Sequence, residues 1–226
     1  LVEETSEIVI LKKDFPYVSR GALKLLKAIE EFGLEVEGKV CLDIGASTGG
    51  FTEVLLLHGA ELVYAVDVGY NQLAWKLRDD SRVVSMEKTN GRNLAPEQLE
   101  GRQVDLVVTD VSFISLEKIL PAAHACLKEG GLMVALIKPQ FEAGKGEVSK
   151  KGVVTDPKTH VRVIEKVSAF AYGEAGFSVL KLSRSPIKGP KGNVEFLVLL
   201  RKDEPESRVN ALTSDVIKKV VLEDEQ

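Results

Sequence analysis

The stretch Asp43-Ile-Gly-Ala-Ser-Thr-Gly-Gly50 closes a short apolar run, Lys39–Ile44 (KVCLDI), and opens an apolar segment, Gly50–His58, that stops at Gly59. A run of strand length, a glycine-rich turn and a helical segment form the first unit of an α/β domain. The loop is not G-x-G-x-x-G, because Ser47 stands where a dinucleotide loop has its second glycine. A carboxylate just before the glycines repels a phosphate and suits a cationic amine, so Asp43 points to a nucleoside cofactor that carries an amine. Gly45 permits a sharp turn, and Gly49 and Gly50 are expected to let a ligand approach the backbone. Asp43, Gly45, Ala46, Ser47, Gly49, Gly50 and Phe51 are the candidate contacts of this loop.

Outward from the loop, strand and helix alternate. Leu62–Val68 reads as the second strand, Gln72–Arg78 as a short helix and Arg82–Met86 as the third strand. Val104–Asp110 is the fourth strand, Leu116–Leu127 its helix ended by Glu129-Gly130-Gly131, and Leu132–Lys138 the fifth strand. Phe141–Val153 is an aperiodic loop and Pro157–Gly173 an amphipathic helix with proline at its start. Phe177–Ser183 and Val194–Arg201 are the last strands. Their connection, Ser185–Asn193, is too short for a helical crossover, so they should pair antiparallel. Before the first strand, Ser19 is positioned to cap a helix over Arg20–Glu31. The expected fold is a Rossmann-like methyltransferase sandwich: a mostly parallel seven-stranded sheet with an antiparallel last strand and helices on both faces. Residues 1–19 read as a linker remnant, 20–202 as the catalytic domain and 203–226 as a charged tail with one loose helix. The start at Leu1 suggests a longer parent chain.

Composition narrows the function. The 226 residues are 44% hydrophobic and 28% charged, as in ordinary globular proteins, and the net charge of −4 leaves any polyanion site to a local basic face. Cys41 and Cys126, far apart in apolar stretches, read as free thiols of a reducing, cytoplasmic compartment. His58, His124 and His160 are isolated, so no metal site is expected. No apolar run nears the ~18–20 residues that span a bilayer, which argues against a membrane-inserting protein.

The carboxyl ends of parallel strands are where ligands bind in such sheets. Asp67 ends the second strand, where an acid can accept from ribose hydroxyls, and Asn90 follows the third, as an adenine contact or a turn residue. Asp110 follows the fourth strand, Lys138 the fifth, and Glu195 opens the last, with Lys24 on the preceding helix. Two lysines and two acids beside a methyl donor suit transfer to a ribose 2′-hydroxyl, a poor nucleophile that must lose its proton. A free lysine, with a pKa of about 10.4, needs a second lysine or desolvation to become a base. Lys138 is the expected base, with Lys24 and Asp110 tuning and positioning it and Glu195 orienting Lys24 or the ribose.

SRGALKL (Ser19–Leu25), DIGASTGGFT (Asp43–Thr52), TDVSF (Thr109–Phe113), LIKPQFE (Leu136–Glu142), GVVTDP (Gly152–Pro157) and SPIKGPKGNVEFL (Ser185–Leu197) together resemble the TlyA, or hemolysin-A-like, family, a branch related to the FtsJ-type ribosomal RNA 2′-O-methyltransferases. The resemblance runs over about residues 15–201. It implies a Lys-Asp-Lys-Glu tetrad at Lys24, Asp110, Lys138 and Glu195, S-adenosylmethionine around Asp43, Gly45, Asp67 and Asn90, and cytidines of ribosomal RNA as substrate. It also implies an N-terminal S4-like RNA-binding domain that this sequence does not contain.

Arg20, Lys145, Lys150, Lys151, Arg184, Lys188 and Lys191 fall in connections expected near the same sheet edge and form a candidate RNA face, whose binding should weaken steeply with salt. Phe113 or Phe141 is a candidate stacking platform for a base, or else core. Three other readings compete. The missing G-x-G-x-x-G and the final hairpin disfavour a nicotinamide dehydrogenase, the short apolar runs disfavour a pore-forming hemolysin, and the tetrad disfavours a non-catalytic RNA-binding module.

Overall fold

A computed structural model of the protein describes residues 15–144 and 146–223. Seven strands form one sheet in the order β3-β2-β1-β4-β5-β7-β6. They are β1 (Val40–Ile44), β2 (Leu62–Val66), β3 (Val83–Met86), β4 (Val104–Thr109), β5 (Leu127–Ile137), β6 (Phe177–Arg184) and β7 (Phe196–Lys202). β1 to β5 pair parallel, while β7 runs antiparallel to both β5 and β6. The expected α/β sandwich, with a Rossmann-like parallel sheet and an inserted antiparallel last strand, is the fold observed. The central strands are apolar on both sides because helices cover both faces. α1 (Ala22–Phe32), α2 (Gly50–Leu57) and α3 (Trp75–Arg78) share one core with Cys41, Val63 and Val108. α4 (Leu120–Cys126), α6 (Pro157–Gly173) and α7 (Ser214–Leu222) share the other with Leu42, Val107 and Phe196.

β1 lies between β2 and β4, so the winding direction reverses beside it. In an open parallel sheet the crevice outside the carboxyl ends at that reversal receives the ligand. Asp43 lies near the carboxyl end of β1 and Asp110 directly follows β4, so both stand at that edge.

Several element boundaries differ from those read in the sequence. α1 begins at Ala22 with no side-chain cap, and Ser19 packs instead against Gly50, where an added Cβ would lie 2.2 Å from Ser19 Oγ. The expected helix Leu116–Leu127 divides into a 3₁₀ turn, Leu116–Lys118, and α4, because Pro121 is tolerated only in a first turn. Glu129-Gly130-Gly131 does not stop a helix. It forms an irregularity inside β5, where the register with β4 shifts between Val104 and Leu106 and Gly130 takes φ 75°. The helix expected over Gln72–Arg78 is the single turn α3. The helix of the charged tail is not loose: Ile217 and Val221, four residues apart, are buried in the core shared with α6.

Gly49 and Gly50 also make room for the protein itself. At Gly49, with φ 96°, a Cβ would stand 2.3 Å from Leu77 Cδ1 and 2.8 Å from Leu73 Cδ1. These glycines let α3 and the residues before α1 press onto the cofactor loop. Gly49→Ala should therefore cost about 1–3 kcal/mol, combining overpacking with a strained backbone. Urea unfolding of the two proteins measures it, and an unchanged midpoint would contradict the packing account.

Candidate active site

The cofactor loop is organised by its own side chains. Asp67 Oδ2 accepts from the Ser47 amide at 2.8 Å and Oδ1 from the Gly69 amide at 2.7 Å, so this acid ties the loop to the end of β2. A carboxylate has further lone pairs, and Asp67 still lines the cavity it faces. Asn90 Oδ1 accepts from the Arg92 amide and caps the turn Gly91–Asn93, while the residue lines the same cavity. That cavity, with a volume of ≈ 610 Å³, also borders Gly45, Ser47, Asp110 and Phe113. Ser47 itself takes a left-handed backbone, φ 50°.

Asp43 is almost wholly buried. Oδ2 accepts from Thr52 Oγ1 at 2.7 Å, and Oδ1 has no hydrogen-bond partner. Burial pushes its carboxyl up to about 7, against the Thr52 hydrogen bonds. It lines a second cavity of ≈ 360 Å³ together with Gly45, Ala46, Ser47, Gly50 and Phe51. The two cavities meet at Gly45, Ser47, Asp110 and Ser112, which border both. An orphaned buried carboxylate oxygen at one end, and an acid and an amide side chain at the other, fit a nucleoside that carries an ammonium group.

The four charged residues read from the sequence come together on the wall of the second cavity. Lys24 Nζ donates to Asp110 Oδ2 at 3.0 Å and to Glu195 Oε2 at 2.8 Å. Lys138 Nζ lies 2.5 Å from Asp110 Oδ1 and donates to Ser112 Oγ at 2.9 Å. Asp110 thus bridges both lysines, and Glu195 serves Lys24. Lys24, Lys138 and Glu195 are buried. Burial opposes the charge on Lys24, but the Asp110 and Glu195 carboxylates outweigh it and hold the ammonium above its usual range. Burial likewise opposes ionisation of Asp110, and Lys138 and Lys24 outweigh it, holding that carboxyl below its usual range.

Sequence reasoning missed the groups that support this cluster. Gln140 Nε2 donates to Glu195 Oε1 at 3.1 Å. Glu142, on the turn Pro139–Glu142 (α5) that follows Lys138, accepts from Ser115 Oγ and the Leu116 amide, both at 2.7 Å. It thereby fastens the loop carrying Asp110 and Ser112 to the turn after Lys138. Asn193 accepts from the Val154 amide and donates to the Gly152 carbonyl, closing two long connections on each other. Only the chain distances, two residues from Asp110, from Lys138 or from Glu195, could have drawn notice to Ser112, Gln140 or Asn193.

A third, more apolar pocket of ≈ 260 Å³ adjoins the cluster at Ser112, Lys138 and Glu195. Phe113 and Phe141 line it, their ring centroids 4.9 Å apart. Phe113 is 89% exposed, with φ 63°, so it is not core. Of the candidate basic face, Arg20 and Lys188 border the cavity of the charged cluster and Lys191 the apolar pocket. Lys150 and Lys151 are exposed in the loop before α6 and border none of these cavities. Arg184 donates to the Glu223 carbonyl at 2.6 Å and borders none of these cavities. Lys145 lies outside the described residues. Among the described residues no helix is long and apolar enough to cross a membrane.

The chain is similar to several known proteins. The family model described as FtsJ-like methyltransferase matches residues 17–202. A 16S/23S rRNA (cytidine-2'-O)-methyltransferase TlyA from Mycobacterium tuberculosis is 51% identical over 199 residues, which cover 88% of this chain and 74% of the relative. Hemolysin A of Brachyspira hyodysenteriae is 46% identical over 196 residues, covering 87% of this chain and 81% of its own. A solved structure of a hemolysin-named protein from Streptococcus thermophilus superposes with a TM-score of 0.88 at 51% identity, over 92% of this chain and 74% of that one.

Proposed function

The chain belongs to the FtsJ-like methyltransferase family, and from that premise we propose that it is an S-adenosylmethionine-dependent enzyme that methylates a ribose 2′-hydroxyl of ribosomal RNA, with cytidine as the target nucleoside. The observation that carries this reading is the two-lysine, two-carboxylate cluster on the wall of the cavity lined by Asp43. The name of the Mycobacterium tuberculosis relative supports the substrate.

The bound cofactor supplies an electrophilic methyl group on a sulfonium. Asp43 would receive its ammonium group, Asp67 its ribose hydroxyls, and Asn90 its adenine edge. Lys138 is the general base: its Nζ would take the proton of the 2′-hydroxyl as that oxygen is methylated. Lys24 is unsuited to that task because two carboxylates hold its proton. It serves as a fixed cation that shares Asp110 with Lys138. Arg20, Lys188 and Lys191 border the cavities as phosphate contacts, and Phe113 offers an exposed ring on which a displaced base can stack.

The deciding test is transfer of labelled methyl from S-adenosylmethionine to intact and undermodified ribosomal RNA, followed by mapping of the modified nucleotide. Label on a ribose 2′-oxygen of the undermodified RNA is expected. Label on a base, or none on any ribosomal RNA, overturns the reading.

Cofactor binding carries a pH signature. Asp43 ionises near 7 in the folded protein and near 3.9 when unfolded. Its folded value is raised, so its protonated form favours folding at low pH and that contribution is lost as pH rises between these values. An ammonium group beside Oδ1 favours the carboxylate. S-adenosylmethionine should therefore bind more tightly as pH rises from about 6 to 8, releasing a proton at the lower end. Calorimetry in two buffers of different ionisation heat reads that proton. Asp43→Asn should weaken binding and abolish the pH dependence, whereas a pH-independent wild type contradicts the assignment.

A further inference from the structure

Lys138 Nζ has two neighbours of different kinds, Asp110 Oδ1 at 2.5 Å and Ser112 Oγ at 2.9 Å. Ser112 lies in the loop leaving β4, two residues beyond Asp110, and it is exposed, so core packing does not account for it. It borders the cavity of Asp43, the cavity of Asp67 and the apolar pocket of Phe113, and so stands at the junction of all three.

We propose that Ser112 is a positioning residue that fixes the direction of the Lys138 lone pair; this rests on the reading of Lys138 as the base. A base must be a neutral amine, with two N–H bonds and one lone pair arranged tetrahedrally about Nζ with the side-chain carbon. Asp110 can only accept, and its Oδ1, in ion-pair contact with Nζ at 2.5 Å, draws one N–H toward it. Ser112 Oγ takes the other. The lone pair is then confined to the third direction, and Lys138 lines both the cavity of Asp43 and the apolar pocket. Held by Asp110 alone, the amine can place its lone pair in either of two directions, one of them toward the space that Ser112 fills. Water entering that space can also donate to the lone pair and withdraw it from the substrate. Having accepted from Lys138, the Ser112 hydroxyl retains its own proton, which it can give to a ribose or phosphate oxygen at the junction.

The test compares wild type, Ser112→Ala and Ser112→Thr in single-turnover methyl transfer to undermodified ribosomal RNA across a range of pH. Ser112→Ala should lower the saturated rate about tenfold, as misorientation of a reacting group does. The RNA and cofactor concentrations needed for saturation should not move. The deficit should be the same at every pH, because added base does not aim a lone pair. Ser112→Thr keeps the hydroxyl and should recover most of the rate. Full activity in Ser112→Ala, an equal loss in Ser112→Thr, or a loss explained by weaker RNA or cofactor binding overturns the proposal. Failure of the underlying reading looks different: the wild type transfers no methyl, or Lys138→Ala is unimpaired.

Discussion

Lys138→Ala is expected to lower methyl transfer by about 10²–10⁴-fold, the range over which a positioned general base contributes. S-adenosylmethionine affinity should remain nearly unchanged, because Lys138 makes no hydrogen bond or ion pair with Asp43 and has its own partners in Asp110 and Ser112. Stability should change little as well, since Asp110 keeps its bond to Lys24 at 3.0 Å. Lys138→Arg separates two meanings of the result. Arginine preserves the positive charge beside Asp110 but does not give up its proton in proteins. If Lys138 acts as a base, Lys138→Arg is as inactive as Lys138→Ala. If it acts only as a fixed charge, Lys138→Arg retains much of the wild-type rate. Equilibrium binding of the cofactor and single-turnover transfer, measured on the same preparations, separate the steps.

The placement of Lys138 was legible in the sequence because it depends on alternation. A strand-length apolar run ending in lysine and proline puts that lysine at the carboxyl edge of a parallel sheet, and the same logic finds Asp43, Asp67 and Asp110. The antiparallel β7 followed from the length of a connector. What the sequence did not disclose depends on packing between segments distant in the chain. Gly49 and Gly50 look like ligand-binding glycines, yet their missing Cβ atoms make room for Leu77 and Ser19. Gly130 and Gly131 look like a helix stop, but pairing with β4 draws them into β5. Asp67 was read as a ribose contact, and both its oxygens already hold backbone amides of the loop. The pairings within the tetrad were legible only in part. In the sequence Glu195 reads as orienting Lys24 or the ribose; side-chain geometry pairs it with Lys24, and only that geometry gives Ser112 to Lys138.

Lys24→Ala should have the largest effect on stability, and its pH dependence identifies the cause. Lys24 is buried between Asp110 and Glu195, and its removal leaves Glu195 with only the Gln140 amide. Breaking a buried ion pair from one side costs about 3–5 kcal/mol, because the remaining charge is uncompensated. In the wild type the folded pKa of Asp110 is depressed, so its contribution is present above the unfolded value and lost as pH falls through the folded one. The folded pKa of Lys24 is raised, so its contribution persists up to the unfolded lysine range and is lost only above it. Between these limits the cluster's contribution is flat. Lys24→Ala removes one of the two cations that hold the Asp110 carboxyl below its usual range, so part of that group's contribution goes with it. The difference in unfolding free energy between wild type and Lys24→Ala should therefore be flat around neutrality and narrow only as pH falls below the ordinary carboxylate range. The double variant Lys24→Met/Glu195→Gln removes both the cation and the acid that depends on it, while Asp110 keeps Lys138. It should recover most of the lost stability at neutral pH and none of the methyl transfer. Recovery of transfer together with stability would show that Lys24 and Glu195 only hold the fold; a deficit that does not change with pH would show that the loss comes from packing of the lysine chain and not from an unpaired carboxylate.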